Sequence, residues 1–192
     1  MISNIKQASA GGGLSAAVTT SGALIVWGGA YSEEDPSSRV IKTDVAAVEV
    51  GSGHSGGVLF ILNPDGTVEV MNAATRSAKK VMDGVQEIRG VEGFNASCLA
   101  LKKDGSLWLI ESGEFGDDTQ TTRIMNDVIS AAAYSRDLLE YEDKPLYVVN
   151  KAGQLLKSVD SNLKNFSVVM EGIVSVSAGR THALAVTTEG KV

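Results

Sequence analysis

The feature that most constrains this chain is a hairpin that keeps returning. Ala96 to Ile110 reads as an apolar run, an Asp104-Gly105 turn and a second apolar run. Gly105 supplies the positive φ that a tight hairpin turn needs. Variants recur at Leu14 to Trp27, Val58 to Met71, Pro145 to Ser158 and His182 to Val192. The turn glycines Gly22, Gly66, Gly105, Gly153 and Gly190 are 44, 39, 48 and 37 residues apart, so the chain is a repeat protein with a period near forty.

The periodicity inside each unit is that of strands. Four and six residues before each glycine stand Val18 and Ala16, Leu62 and Phe60, Leu101 and Leu99, Val149 and Tyr147, and Val186 and Leu184. A spacing of two puts each pair on one face of a strand. Five before the glycine stand Ala17, Ile61, Ala100, Val148 and Ala185, apolar and mostly small, so the opposite face is expected to be buried as well. Leu24 and Val26, Val68 and Val70, and Leu107 and Leu109 continue as second strands of the hairpins.

A second signature lies between the hairpins and confirms the register. Val40 to Val45, Val81 to Val85, Ile124 to Val128 and Val169 to Ile173 end 40, 43 and 45 residues apart, each an outer strand turning into the first strand of the next unit. Met1 to Ile5 looks like the tail of the same element. Each unit then carries about four short strands, and four-stranded sheets stacked radially make a β-propeller. The expected fold is all-β, a single propeller domain over residues 1–192. Its units cover about 1–44, 45–84, 85–127, 128–172 and a partial fifth at 173–192, so the ring is expected to be incomplete or open. Unpaired sheet edges there invite self-association or pairing with further chain.

The units Ser177 to Val192 and Ala10 to Gly28 resemble the repeat of the regulator of chromosome condensation (RCC1-like) family. Its pattern runs glycine, two or three residues, histidine, an alternating strand, an acidic-Gly turn and a strand closing in Trp-Gly. Trp27-Gly28 is the surviving closure, and Ser112 to Asp117 resembles the glycine-containing loop that follows it. The fourth unit departs from the pattern with Tyr134-Ser135-Arg136 in place of the glycine and an insertion at Asp137 to Lys144.

Several chemistries are excluded or left without support. Twenty-three acidic against 17 basic residues give a net charge of -6, which disfavours nucleic acid as a partner, because affinity for it is built from clustered Lys and Arg. No apolar run approaches the ~20 residues that span a bilayer, so no membrane role is expected, and a cytoplasmic address is the default. Gly51 to Gly56 fits the dinucleotide fingerprint, but an apolar strand follows it where a helix N-terminus must hold the pyrophosphate. Cys98 reads as a buried structural thiol. His54 and His182, the two histidines, lack nearby Cys or His to complete a metal site, and His182 is expected to bond backbone between blades. No nucleophile, base and orienting acid stand together. No cofactor, no metal and no enzymatic activity are expected.

Rigid scaffolds recognise partners through the loops they display. Three loops combine acidic residues with one aromatic: Tyr31, Glu33, Glu34 and Asp35; Glu114, Phe115, Asp117 and Asp118; and Glu140, Tyr141 and Glu142. That composition suits a protein partner with a basic patch and a hydrophobic pocket. The function expected is therefore a non-enzymatic protein-interaction scaffold or regulator. The family resemblance implies guanine-nucleotide exchange on a small GTPase as an alternative, and a propeller is also compatible with glycan or cell-surface receptor binding.

Overall fold

The structure, a computed structural model, describes residues 3–28, 40–51, 57–91, 96–113, 116–133, 145–179 and 182–192. It is built of antiparallel strands in five sheets, with no helix among the described residues. The first sheet holds β1 (Ile5–Gly11), β2 (Leu14–Thr19), β3 (Leu24–Gly28) and β4 (Val40–Lys42). The second holds β5 (Ala47–Gly51), β6 (Val58–Leu62), β7 (Val68–Asn72) and β8 (Ala78–Met82). The third holds β9 (Val85–Val91), β10 (Ala96–Lys102), β11 (Leu107–Ser112) and β12 (Gln120–Met125). The fourth holds β13 (Val128–Ala133), β14 (Leu146–Asn150), β15 (Leu155–Ser158) and β16 (Phe166–Met170), and the fifth only β17 (Ile173–Ala178) and β18 (Ala183–Thr187). In every sheet neighbours in space are neighbours in sequence, the meander of a propeller blade.

The core lies between blades. Leu14, Ala16 and Val18 of the first blade pack on Val48, Leu59 and Ile61 of the second. Val58, Phe60 and Leu62 of the second meet Ile88, Cys98 and Ala100 of the third. Leu99, Leu101, Leu107 and Leu109 meet Leu146 and Val148 of the fourth, and Tyr147, Val149 and Leu155 face Ile173, Val176 and Ala185 of the fifth. Residues four and six before the turn glycines of the first four blades thus face the following blade, and in the second to fifth blades the residue five before the glycine faces the preceding one. Ala17, Ile61, Ala100 and Val148 are fully buried, and their modest size lets consecutive sheets stack closely.

One peptide group at each blade entry joins two hairpin turns. The N–H of Val85 donates to the carbonyl of Gly66 in the preceding blade's turn at 2.9 Å, while the carbonyl of Gly84, in the same peptide unit, accepts from Lys103 N in its own blade's turn at 2.9 Å. The Asp127-Val128 unit does the same between Gly105 and Lys151, and the Gly172-Ile173 unit between Gly153 and Thr188. Val45 N likewise donates to Gly22, but the position that would answer the Asp44 carbonyl is Pro64, which has no N–H to give. Asn4, Asp44, Gly84, Asp127 and Gly172 all hold φ between 57° and 73° to aim these groups, a region that Asn, Asp and Gly enter at least cost.

Two glycines show why the pattern needs that residue. A Cβ on Gly66, at φ +89°, would lie 2.9 Å from the Val85 carbonyl beside the stitch, and one on Gly28, at φ +88°, would lie 2.5 Å from the Gly13 carbonyl. The second explains the Trp27-Gly28 closure: β3 ends where its backbone meets the bend between β1 and β2. Gly66→Ala should lower stability by about 2–3 kcal/mol, combining positive-φ strain with a displaced inter-blade bond. Gly190→Ala, at φ +76° with nothing within 4 Å of the added Cβ, should cost about 1 kcal/mol from the left-handed backbone alone. Urea denaturation of the two variants checks the difference; equal losses would contradict it.

Candidate interaction site

Of the expected partner-binding residues, Asp117 and Asp118 are described and lie together on one turn of chain. Tyr31, Glu33, Glu34, Asp35, Glu114, Phe115, Glu140, Tyr141 and Glu142 lie outside the described residues, as does His54. The segment between β11 and β12 is held by its own backbone. Gly113 N donates to the Asp117 carbonyl at 3.0 Å, Gly116 N to the Gly113 carbonyl at 3.1 Å, and the Thr119 hydroxyl to the Gly116 carbonyl at 3.3 Å. Gly116 comes down on the second blade, where an added Cβ would stand 3.4 Å from Asn72 N. Asp117 and Asp118 are exposed, with the Asp117 carboxylate lying over Gly113.

Along the inner strands a row of polar side chains crosses from blade to blade. The Gln7 amide bonds both main-chain groups of Val48, donating to its carbonyl at 3.1 Å and accepting from its N–H at 3.0 Å. Ser9 Oγ accepts from Val50 N at 3.0 Å and donates to Glu49 Oε2 at 2.9 Å. Gly90 in the third blade lies against that carboxylate, leaving no room for a side chain of its own. Burial raises the Glu49 pKa above its ordinary 4.5, against the lowering influence of the Ser9 hydroxyl, the Gly90 N–H and the Arg89 charge.

The seam between the third and fourth blades departs from this scheme. Glu87 and Arg89 stand opposite Leu101 and Leu99, the register positions that Gln7 and Ser9 hold opposite Val18 and Ala16. They pair with each other at 2.5 Å, Arg89 Nε to Glu87 Oε1. A small cleft opens there, lined by Glu87, Arg89, Leu99, Leu101, Leu107 and Ala131. At the next seam the scheme resumes, with Ser130 Oγ accepting from Val176 N at 3.3 Å.

Cys98 is buried, and burial pushes its thiol pKa well up, with the Glu49 charge adding to the effect. Trp108 is half-buried beside the core between the second and third blades, its Nε1 donating to Ser106 Oγ at 3.0 Å and Lys102 Nζ standing 5.6 Å from the ring centre. Asp65 accepts from the amide and hydroxyl of Thr67, and Asp104 from the hydroxyl and amide of Ser106, which lowers both pKa values. The His182 main-chain carbonyl accepts from Gly179 N at 2.8 Å within the β17–β18 hairpin, and its ring lies beside Gly179. Among the described residues no group of three or more His, Cys, Asp or Glu is placed to hold a metal ion. The Gln7, Ser9 and Glu49 row was not read from sequence, although a polar residue alternating with Val48 and Val50 in a doubly covered strand was its signal.

No protein-family model matches the chain, and comparison with curated proteins gives no match. Solved structures do share its fold. Yeast RCC1 (Prp20), in its complex with Kap60, is 16% identical with a TM-score of 0.58 over 97% of this chain and 54% of that one. The WD40 domain of SCAP from fission yeast is 9% identical with a TM-score of 0.56, covering 88% and 42%. BBS1N in complex with ARL6DN is 14% identical with a TM-score of 0.60, covering 92% and 57%. The chain therefore spans about half the length of these proteins, and the likeness identifies its class as an all-β propeller.

The Glu49 shift fixes a sign. With the folded pKa above the unfolded one, the folded state holds more proton than the unfolded state as pH rises past 4.5, so this group's contribution to stability declines through that window. The lowered Asp65 and Asp104 act at and below 3.8 and in the opposite direction. Glu49→Gln should flatten the stability profile above pH 4.5, measured by denaturant unfolding at several pH values; an unchanged slope would contradict the assignment.

Proposed function

We propose that this chain is a non-enzymatic, cytoplasmic interaction scaffold or regulator, built of RCC1-like repeats, that holds a protein partner with a basic surface through the loops between its strands. The observation that carries the reading is the 113–119 loop. Gly113 and residues 116–119 are tied by main-chain bonds at Gly113 and Gly116 and by the Thr119 hydroxyl, while Asp117 and Asp118 are exposed. A fixed loop offers charge without the entropy of ordering it on binding. The net charge of -6 extends the same preference over longer range, steering basic partners and turning nucleic acid away.

The solved neighbours support the class of partner. Yeast RCC1 is bound to Kap60, BBS1N is in complex with ARL6DN, and the SREBP and SCAP binding domains of fission yeast form a complex. The RCC1-like assignment of the repeats rests on the glycine, histidine and turn-glycine spacing of Gly179, His182 and Gly190, and on the Trp27-Gly28 closure.

Affinity capture from the source cell's lysate tests the reading, comparing wild type with a variant carrying Ala at Tyr31, Phe115 and Tyr141 and with Asp117→Lys/Asp118→Lys. The expected result is a specific protein lost with both variants, its capture by wild type weakening as salt rises, since exposed charge pairs are screened within about 8 Å at physiological ionic strength. The same proteins captured by all three versions would overturn it.

A further inference from the structure

Inner strands show main-chain groups to the blade before them, and side chains of that blade answer. Val48 and Val176, each opposite the residue five before its turn glycine, are met by Gln7 and Ser130. The N–H groups of Val50 and Gly90, each opposite the residue seven before, are met by Ser9 and Glu49. In the fourth blade these register positions belong to Ala131 and Ala133, opposite Val148 and Leu146. The shared register turns their main-chain groups toward the third blade in the same way.

The third blade cannot answer in kind. Glu87 holds the position of Gln7, and Arg89 that of Ser9. A carboxylate only accepts and a guanidinium only donates, so Glu87 has nothing to give the Ala131 carbonyl and Arg89 nothing to accept the Ala133 N–H. The two pair with each other through Arg89 Nε and Glu87 Oε1, which leaves Glu87 Oε2 and the terminal nitrogens of Arg89 outside that bond. The cleft at this seam has about 210 Å³ of space, part of it open to solvent, and Leu99, Leu101, Leu107 and Ala131 supply its apolar lining. Both flanking blades have all four strands, so the cleft is no product of the two-stranded fifth sheet.

We propose that this cleft binds a free amino acid with a terminal carboxamide, of which glutamine is the type. The carboxamide repeats at Ala131 what Gln7 does at Val48, accepting from the N–H and donating to the carbonyl. The side-chain methylenes lie on the leucines, the α-carboxylate meets Arg89 and the Ala133 N–H, and the α-ammonium meets Glu87 Oε2. Ala131 and Ala133 are about 6.8 Å apart along the strand, close to the reach of an extended glutamine from carboxamide to carboxylate. Glutamate in its place would set a carboxylate against the Ala131 carbonyl and lose the donor. The site uses no residue of the 113–119 loop and does not depend on the protein partner proposed there.

Titration of the 192-residue protein with L-glutamine, followed through the amide NMR signals of Ala131 and Ala133, tests the assignment. Saturable shifts of both signals in the millimolar range are expected of so small a ligand. L-glutamate, which lacks the donor, and propionamide, which lacks the charged end, should each bind about tenfold more weakly. Glu87→Gln gives the third seam its own copy of Gln7. It should raise the melting temperature, move the same two signals without ligand, and weaken glutamine binding about tenfold by occupying the Ala131 groups. No saturable shift, glutamate or propionamide binding as well as glutamine, or a Glu87→Gln variant that melts and binds glutamine as the wild type does would each overturn the proposal.

Discussion

A single peptide group at each blade entry governs the arrangement of the whole chain. In Gly84-Val85, Asp127-Val128 and Gly172-Ile173 the N–H reaches back to the turn glycine of the blade before, and the carbonyl accepts from the turn of the blade it opens. Hydrophobic packing between sheets is non-directional and would tolerate a range of stagger. The stitch is directional. It places each hairpin turn a fixed step from the next, and the left-handed residue before it keeps the outer strand from overrunning into the next blade. Pro64 shows the tolerance of the device: with no N–H to answer Asp44, the second blade relies on Val45 N to Gly22 O and on Ala46 N to Leu62 O.

Because adjacent blades are stitched in series, the seams can differ without the fold changing. The first seam is tied by Gln7 and Ser9 and by a half-buried Lys42–Glu69 ion pair at 3.1 Å. The seam between the third and fourth blades gives up such ties to a mutual Glu87–Arg89 pair, and exposed pairs of that kind contribute little, typically about 0–1 kcal/mol. The open cleft follows from that substitution. The surfaces this stitched frame displays include exposed Asp117 and Asp118 beside the third blade.

Much of this frame was legible in the sequence, for physical reasons that can be named. Turn glycines demand positive φ, strands covered on both faces alternate Ala17 or Ala100 with larger neighbours, and the Asp127-Val128 type of ending announces a left-handed residue before a new strand. These are local constraints, and local constraints survive in a string of letters. What stayed hidden depends on packing across repeats. Glu49 looked like one polar residue in an apolar strand, and only Ser9 and Gly90, brought in from the blades on either side, make it a bridge. The exposure of Met170 could not be read from a motif nearly identical to that around buried Met82; it depends on the strand count of the following sheet.

The claim that these peptide groups hold successive blades together is tested most directly by native-state amide hydrogen exchange at Val45, Val85, Val128 and Ile173. The stitch predicts protection at these four amides matching that of central-strand amides such as Ala100 and Val148, although each sits at a corner of the chain. Exchange as fast as that of an exposed turn amide such as Glu189 would contradict it and leave sheet packing alone to set the order of the blades.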